Sequence, residues 1–222
     1  MKTTVINRFC FGLLFVFTFL FSFQASSAQQ AIRHAAIVCP QNLSWMLNYA
    51  APNGKSDNEN EKLVTLPCFK KAVQKALRLD QSFIGKSLPV ATAALLSVEV
   101  YGVGPASSDH RYITVQGCVR HDCPSVGMIW IDTAGTGQIV FAISRDIPAD
   151  GKNYSDRYHL WLYSSIHISE EQILPEPLLN SLQNVFEREK FVSAMIVQPD
   201  GEMSAALPAT LHLNQAQATS VK

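Results

Sequence analysis

The sequence predicts an α+β domain built on a central antiparallel sheet of about five strands, a meander flanked by helices. Two stretches repeat apolar residues at spacings of three and four, which is typical of amphipathic helices. Between them lies a block of short segments in which the period changes to two, rich in β-branched and aromatic residues and separated by turn residues, as in strands. Short connections join these segments, and short connections favour antiparallel neighbours.

The first amphipathic stretch covers residues 67–79. Lysines occupy one face of this helix, and the other face is apolar. The apolar residues are Phe69, Ala72, Val73, Ala76 and Leu77. Upstream, we expect a short helix at residues 42–49 and a polar, turn-rich loop at residues 51–62.

The block between the two helices supplies the strands of the sheet. The five segments are residues 95–103, 111–115, 126–132, 138–144 and 158–164. Residues 133–137 are expected to form a hairpin turn between the third and the fourth segment.

The second amphipathic stretch follows the strands. Its apolar face carries Leu178, Leu179, Leu182, Val185 and Phe186. Prolines at positions 175 and 177 favour a helix start there. Residues 191–197 are expected to form either a sixth strand or an extension of this helix. Beyond Gly201 the chain is expected to be frayed.

The first 28 residues have the layout of a cleavable signal peptide. Lys2 and Arg8 supply positive charge, and residues 9–23 form an apolar run. Small residues, Ser26 and Ala28, occupy the two positions that signal peptidase inspects. Because the apolar run is shorter than the roughly 20 residues of a membrane span, we expect no stable membrane anchor. We expect the remaining residues to divide into an N-terminal extension (29–65), an α+β domain (66–200) and a C-terminal tail (201–222).

The charge of the processed chain is close to balanced. Cleavage removes Lys2 and Arg8 from the 18 basic residues, which leaves 16 basic residues against 18 acidic ones. This balance gives no electrostatic footprint for nucleic acid, so we expect no nucleic-acid partner.

Four cysteines remain after cleavage. An even number of cysteines in an exported chain indicates two disulfides, for which three connectivities exist. We expect the local pair Cys118 with Cys123, which leaves Cys39 with Cys68.

One expected strand connection concentrates polar chemistry, the octapeptide GCVRHDCP at residues 117–124. A disulfide that closes this six-residue ring would remove unfolded-chain entropy worth about 2 kcal/mol. A rigid protruding loop loses less entropy on docking, so the composition suits insertion into a concave partner. His121 would lie at the tip as a group with two hydrogen-bonding nitrogens.

The string C-V-R-H-D-C resembles the C-K-P-H-D-C loop of the inhibitor of vertebrate lysozyme (Ivy) family, a group of bacterial periplasmic proteins. Met128 and Trp130 after the loop, and Trp161 with Leu162 in a later strand, stand where the family has similar residues. The resemblance implies an α+β fold with a central antiparallel sheet, often dimeric. It also implies that the loop histidine enters the active cleft of a c-type lysozyme.

Carried over to this chain, the resemblance assigns His121 to the lysozyme cleft and Asp122 to supporting contacts. Val119 and Arg120, which stand where the family has Lys-Pro, are assigned to the same binding loop. The resemblance implies that Cys118 and Cys123 form the bridge that shapes it.

We therefore expect a periplasmic or secreted inhibitor of c-type lysozyme that is not itself an enzyme. The expected partner is the lysozyme, and a homodimer is allowed because the family is often dimeric. No cofactor and no metal are expected.

Three alternatives stay open. In the first alternative, the chain is a structural or binding protein of the cell envelope with the same fold, and its cysteines only cross-link a hairpin. A thiol redox site is disfavoured because the spacing is C-x4-C and not C-x-x-C. Zinc held by Cys118, His121 and Cys123 would lack a fourth ligand.

Overall fold

A computed structural model describes residues 37–50, 59–96, 99–105, 111–119, 122–135, 137–146, 157–169, 174–206, 208–211 and 213. The expected signal peptide lies outside the described residues. Residues Cys39–Lys222 form one compact unit. Of the other unit, Met1–Val38, only Ile37 and Val38 are described, and both side chains are exposed.

Six helices are present in the described part of the chain. Two are 3₁₀-helices, Ser44–Tyr49 and Pro208–Leu211. The α-helices are α1 (Glu59–Thr65), α2 (Pro67–Ala76), α3 (Leu88–Leu96) and α4 (Glu176–Val185). The short helix predicted at 42–49 and both amphipathic helices are therefore confirmed.

Helix α2 forms where the apolar spacing predicted it. Pro67 is at its first turn, where the missing N–H costs nothing. Phe69, Val73 and Leu77 are buried in the core. The loop prediction was wrong for residues 59–62, which belong to α1. Leu63 at the end of that polar run is fully buried, and this burial stabilises a helix that local composition does not indicate.

The sheet is larger than predicted. Its seven strands are β3 (Glu99–Pro105), β4 (Tyr112–Val119), β5 (Asp122–Asp132), β6 (Ile139–Asp146), β7 (Arg157–Ser164), β8 (Lys190–Val197) and β9 (Met203–Ala206). They lie side by side in chain order. A separate two-stranded hairpin consists of β1 (Ser82–Phe83) and β2 (Lys86–Ser87).

Strands β3 to β7 form the predicted antiparallel meander. Strand β8 is parallel to β7, because α4 carries the chain back across the sheet before β8 begins. The sixth-strand interpretation of residues 191–197 is thus confirmed. The tail was wrongly predicted as frayed at residues 203–206, which pair with β8 as β9 after a turn at Gly201 (φ +90°).

Both faces of the sheet are covered. On β5, Ile129 and Ile131 point into a core shared with α1, α2 and α3, whereas Met128 and Trp130 point into a core shared with α4. All four side chains are fully buried. Residues Cys39–Lys222 therefore form a three-layer α+β unit, with helices on both faces of the sheet.

The hairpin turn predicted at residues 133–137 joins β5 to β6. The Gly137 N–H donates a hydrogen bond of 3.2 Å to the Ala134 carbonyl. Gly135 and Gly137 have φ of +59° and +62°, values that glycine adopts without steric cost.

Candidate functional site

The candidate binding loop is the hairpin end between β4 and β5. The two strands pair as far as Val119 and Asp122, which are direct backbone partners. Arg120 and His121 connect these two positions along the chain and lie outside the described residues. The strand pairing therefore brings two of the four predicted binding residues together, at the end of the sheet.

The pairing register shifts at the base of this hairpin. Cys118 is paired with Val126, whereas the next residue, Val119, is paired with Asp122. Residues 123–125 therefore have no counterpart on β4, which makes a bulge on the β5 side. Bulges re-aim side chains and increase local twist, so the strand end diverges from the regular sheet at this point.

Cys118 anchors the hairpin in the sheet. Its side chain is fully buried, and its sulfur is disulfide-bonded. Its backbone is paired on one side with Glu99 of β3 and on the other with Val126 of β5. A sulfur in a disulfide is not a thiolate, so Cys118 as found here is neither a redox nucleophile nor a zinc ligand.

The other predicted disulfide is present. Cys39 is bonded to Cys68, with Cα atoms 5.3 Å apart, which confirms that pair. The side chain of Cys123 lies outside the described residues, so the pair Cys118 with Cys123 stays a prediction. It is the only partner left to Cys118 among the cysteines that follow the expected cleavage site.

A polar cluster supports the base of the hairpin. The Ser144 hydroxyl on β6 lies 3.1 Å from the carbonyl oxygen of Val126 and 3.0 Å from Oε1 of Glu189. Burial raises the pKa of Glu189 to about 7, and the hydrogen bond from Ser144 opposes this increase. Sequence reasoning missed this cluster, because Glu189 stands in the charged string EREK, which is typical of a solvated surface.

Two further observations concern metal binding and membrane crossing by the described residues. Within the ranges given above, no group of three or more His, Cys, Asp and Glu side chains could hold a metal ion. None of the described helices combines the length and the apolar character needed to cross a membrane.

Comparison of the chain with protein-family models, with curated proteins and with solved structures finds no match. The similarity to the lysozyme-inhibitor family therefore rests on the loop string and on the residues quoted with it.

Proposed function

We propose that the chain is an exported inhibitor of c-type lysozyme, which inserts the hairpin of residues 118–123 into the active cleft of the enzyme. One observation carries the proposal: the strands that flank the string C-V-R-H-D-C pair up to Val119 and Asp122, directly beside a buried and disulfide-bonded Cys118. A hairpin whose base is held in this way is suited to enter a concave partner.

The way in which the sheet holds the base of the hairpin supports the proposal energetically. Binding requires the loop side chains to lose freedom, at about 0.5–1.5 kcal/mol for each flexible side chain that is immobilised. Cys118 is held between β3 and β5 and is cross-linked, so the backbone at the base of the hairpin is ordered before the partner arrives. The oxidised cysteines also favour an exported protein, because disulfides persist in oxidising compartments.

His121 has the chemistry that a lysozyme cleft would recognise. Retaining glycosidases present two carboxyl groups about 5–5.5 Å apart. An imidazolium has two N–H donors and can donate one hydrogen bond to each carboxylate, and the bonds to charged acceptors are the stronger kind. An imidazole in that position would also exclude the sugar substrate.

The test is inhibition of cell-wall lysis by several c-type lysozymes with the purified, oxidised protein. We expect His121→Ala to raise the inhibition constant at least tenfold, which corresponds to about 1.4 kcal/mol. His167→Ala is the matched control, because His167 is exposed and follows β7 at the opposite end of the sheet. The control variant should inhibit like the unmodified protein.

Lack of inhibition by the unmodified protein against all of these lysozymes would refute the proposal. In that case the chain would be a binding or structural protein of the cell envelope. Equal effects of the two histidine substitutions would refute the assigned role of the loop.

A further inference from the structure

A cleft of about 740 Å³ lies at the opposite end of the strands from the candidate binding loop. Its walls come from the 3₁₀-helix Ser44–Tyr49, from α2, from the start of β6 and from the segment that follows β7. The β4–β5 and β5–β6 connections lie at opposite ends of β5, so this cleft and the hairpin at residues 118–123 are separate sites. Its volume falls within the usual range for small-molecule sites.

Several of the side chains that line the cleft are apolar. Trp45 and Leu43 form one wall, and Ala72 and Ala76 of α2 form another. The two alanines are one helical turn apart, and their short side chains leave room between the helix and the start of β6. A ligand with an aliphatic or aromatic body would therefore exchange water for apolar contacts here, at about 25 cal/mol for each Å² that it buries.

The charge in the cleft has one sign. Lys71 and Lys75 line it from one face of α2, a helical turn apart, and both side chains are exposed to solvent. Among the described residues that line the cleft, none is acidic. Neither lysine forms an ion pair with another described residue. Like charges at this spacing repel each other slightly, and an anion between them would remove the repulsion.

Trp45 adds an aromatic side chain to the lining of the cleft. Its indole Nε1 is buried, and it has no hydrogen-bond partner among the residues that the structure describes. The ring itself is held by an edge-on contact with Tyr49, with centroids 6.2 Å apart.

The cleft is preformed. The Cys39–Cys68 disulfide lines it and ties the chain before the 3₁₀-helix to the start of α2. On the far wall, the Ile139 N–H donates to the Ser165 hydroxyl at 2.9 Å, and the Ser165 N–H donates to the Ile139 carbonyl at 2.9 Å. Walls fixed in this way reduce the entropy that a ligand must overcome.

We propose that this cleft binds an amphipathic organic anion, one carboxylate or phosphate head group attached to an apolar body. The head group lies between Lys71 and Lys75, and the body covers Ala72 and Trp45. The two lysines and the apolar side chains of the lining are the two features that such a ligand satisfies together. The proposal is independent of lysozyme inhibition, which depends on the other end of the sheet.

Calorimetric titration of the oxidised protein with decanoate tests the proposal. We expect saturable one-site binding, with acetate and decanol at least tenfold weaker, because the first lacks the body and the second lacks the charge. Decyl phosphate should compete with decanoate, and the ratio of the two affinities identifies the preferred head group. Ala72→Leu, which fills the cleft without a change of charge, should weaken binding at least tenfold.

The charge variant is the double substitution Lys71→Glu with Lys75→Glu, expected to weaken decanoate binding at least tenfold. Lys70→Glu is its matched control, because Lys70 is exposed on the same helix and does not line the cleft. The control should bind decanoate like the unmodified protein. No saturable binding of decanoate, equal binding of decanol, or equal weakening by Lys70→Glu would overturn the proposal.

Discussion

The Ser144 hydroxyl lies within hydrogen-bond distance of two acceptors, Oε1 of Glu189 at 3.0 Å and the carbonyl oxygen of Val126 at 3.1 Å. A serine hydroxyl has one proton, so it cannot fully satisfy both acceptors. If Glu189 is protonated, its O–H donates to Ser144, and Ser144 donates to Val126. The other carboxyl oxygen, Oε2, is buried without a partner among the described residues, which costs less for a neutral group than for a carboxylate.

The first prediction concerns the pH dependence of stability. Burial raises the pKa of Glu189 from 4.5 to about 7, so between these values the folded protein holds a proton that the unfolded chain has lost. The free energy of unfolding contributed by this group therefore decreases from about pH 4.5 to about pH 7 and is constant above it. Glu189→Gln removes this dependence. Relative to that of the unmodified protein, the free energy of unfolding of the variant should increase by about 2 kcal/mol between pH 4.5 and pH 8, after allowance for the partial exposure of Glu189.

Urea unfolding across that pH range measures the effect. Glu187→Gln is the control, because Glu187 is an exposed carboxylate two residues away. The control should lack the increase of about 2 kcal/mol that Glu189→Gln shows over this pH range. A Glu189→Gln difference that does not change with pH would contradict the protonation argument. The Ser144 hydrogen bond would then be no more than a packing contact.

The sheet meander was predictable because its strands are short segments rich in β-branched and aromatic residues, with turn residues between them. On β5, successive residues such as Ile129 and Trp130 enter different cores, and both cores select apolar or aromatic side chains. Helix α3 was not predictable from periodicity, because its sequence, LPVATAALL, is apolar on nearly every side. Residues 95 and 96 were accordingly assigned to a strand, although they end this helix.

Of the two candidate sites, only the hairpin at residues 118–123 was predictable, because its residues are adjacent in the sequence. The string C-V-R-H-D-C is a short segment, and the pairing of Val119 with Asp122 follows from its place between two strands. The cleft is lined by residues from distant segments of the chain, such as Trp45 and Ile139. Lys71 and Lys75 could be assigned to a polar helix face, but nothing in the sequence shows that this face borders a cavity.

The second prediction concerns the close approach of backbone and side chain at Gly127. A Cβ atom added there would lie 2.8 Å from Cδ2 of Leu95 and 2.9 Å from the carbonyl oxygen of Ala142. The carbonyl belongs to the backbone of the neighbouring strand, so it cannot move without distorting the β5–β6 pairing. Gly127→Ala should lower the free energy of unfolding by about 1–3 kcal/mol, measured by urea unfolding.

A double-mutant cycle identifies the cause of that loss. If Leu95 is one of the two obstacles, Leu95→Ala should cost less in the Gly127→Ala background than in the unmodified protein, by at least 0.5 kcal/mol. Additive effects of the two substitutions would contradict the steric argument for Leu95. The carbonyl of Ala142 would then account for the whole loss.

The third prediction concerns the Cys39–Cys68 disulfide, whose cysteines are 29 residues apart. In the loop-closure model, a ring of this size destabilises the unfolded chain by about 3.5 kcal/mol. Replacing both cysteines by serine should lower the free energy of unfolding by about 2–4 kcal/mol and should also weaken decanoate binding, because this disulfide lines the cleft.

His121-dependent inhibition of lysozyme should persist under native conditions, since the hairpin is at the other end of the strands. Loss of inhibition with decanoate binding retained would contradict the assignment of the disulfide to the cleft and would show that the two ends of the sheet are coupled.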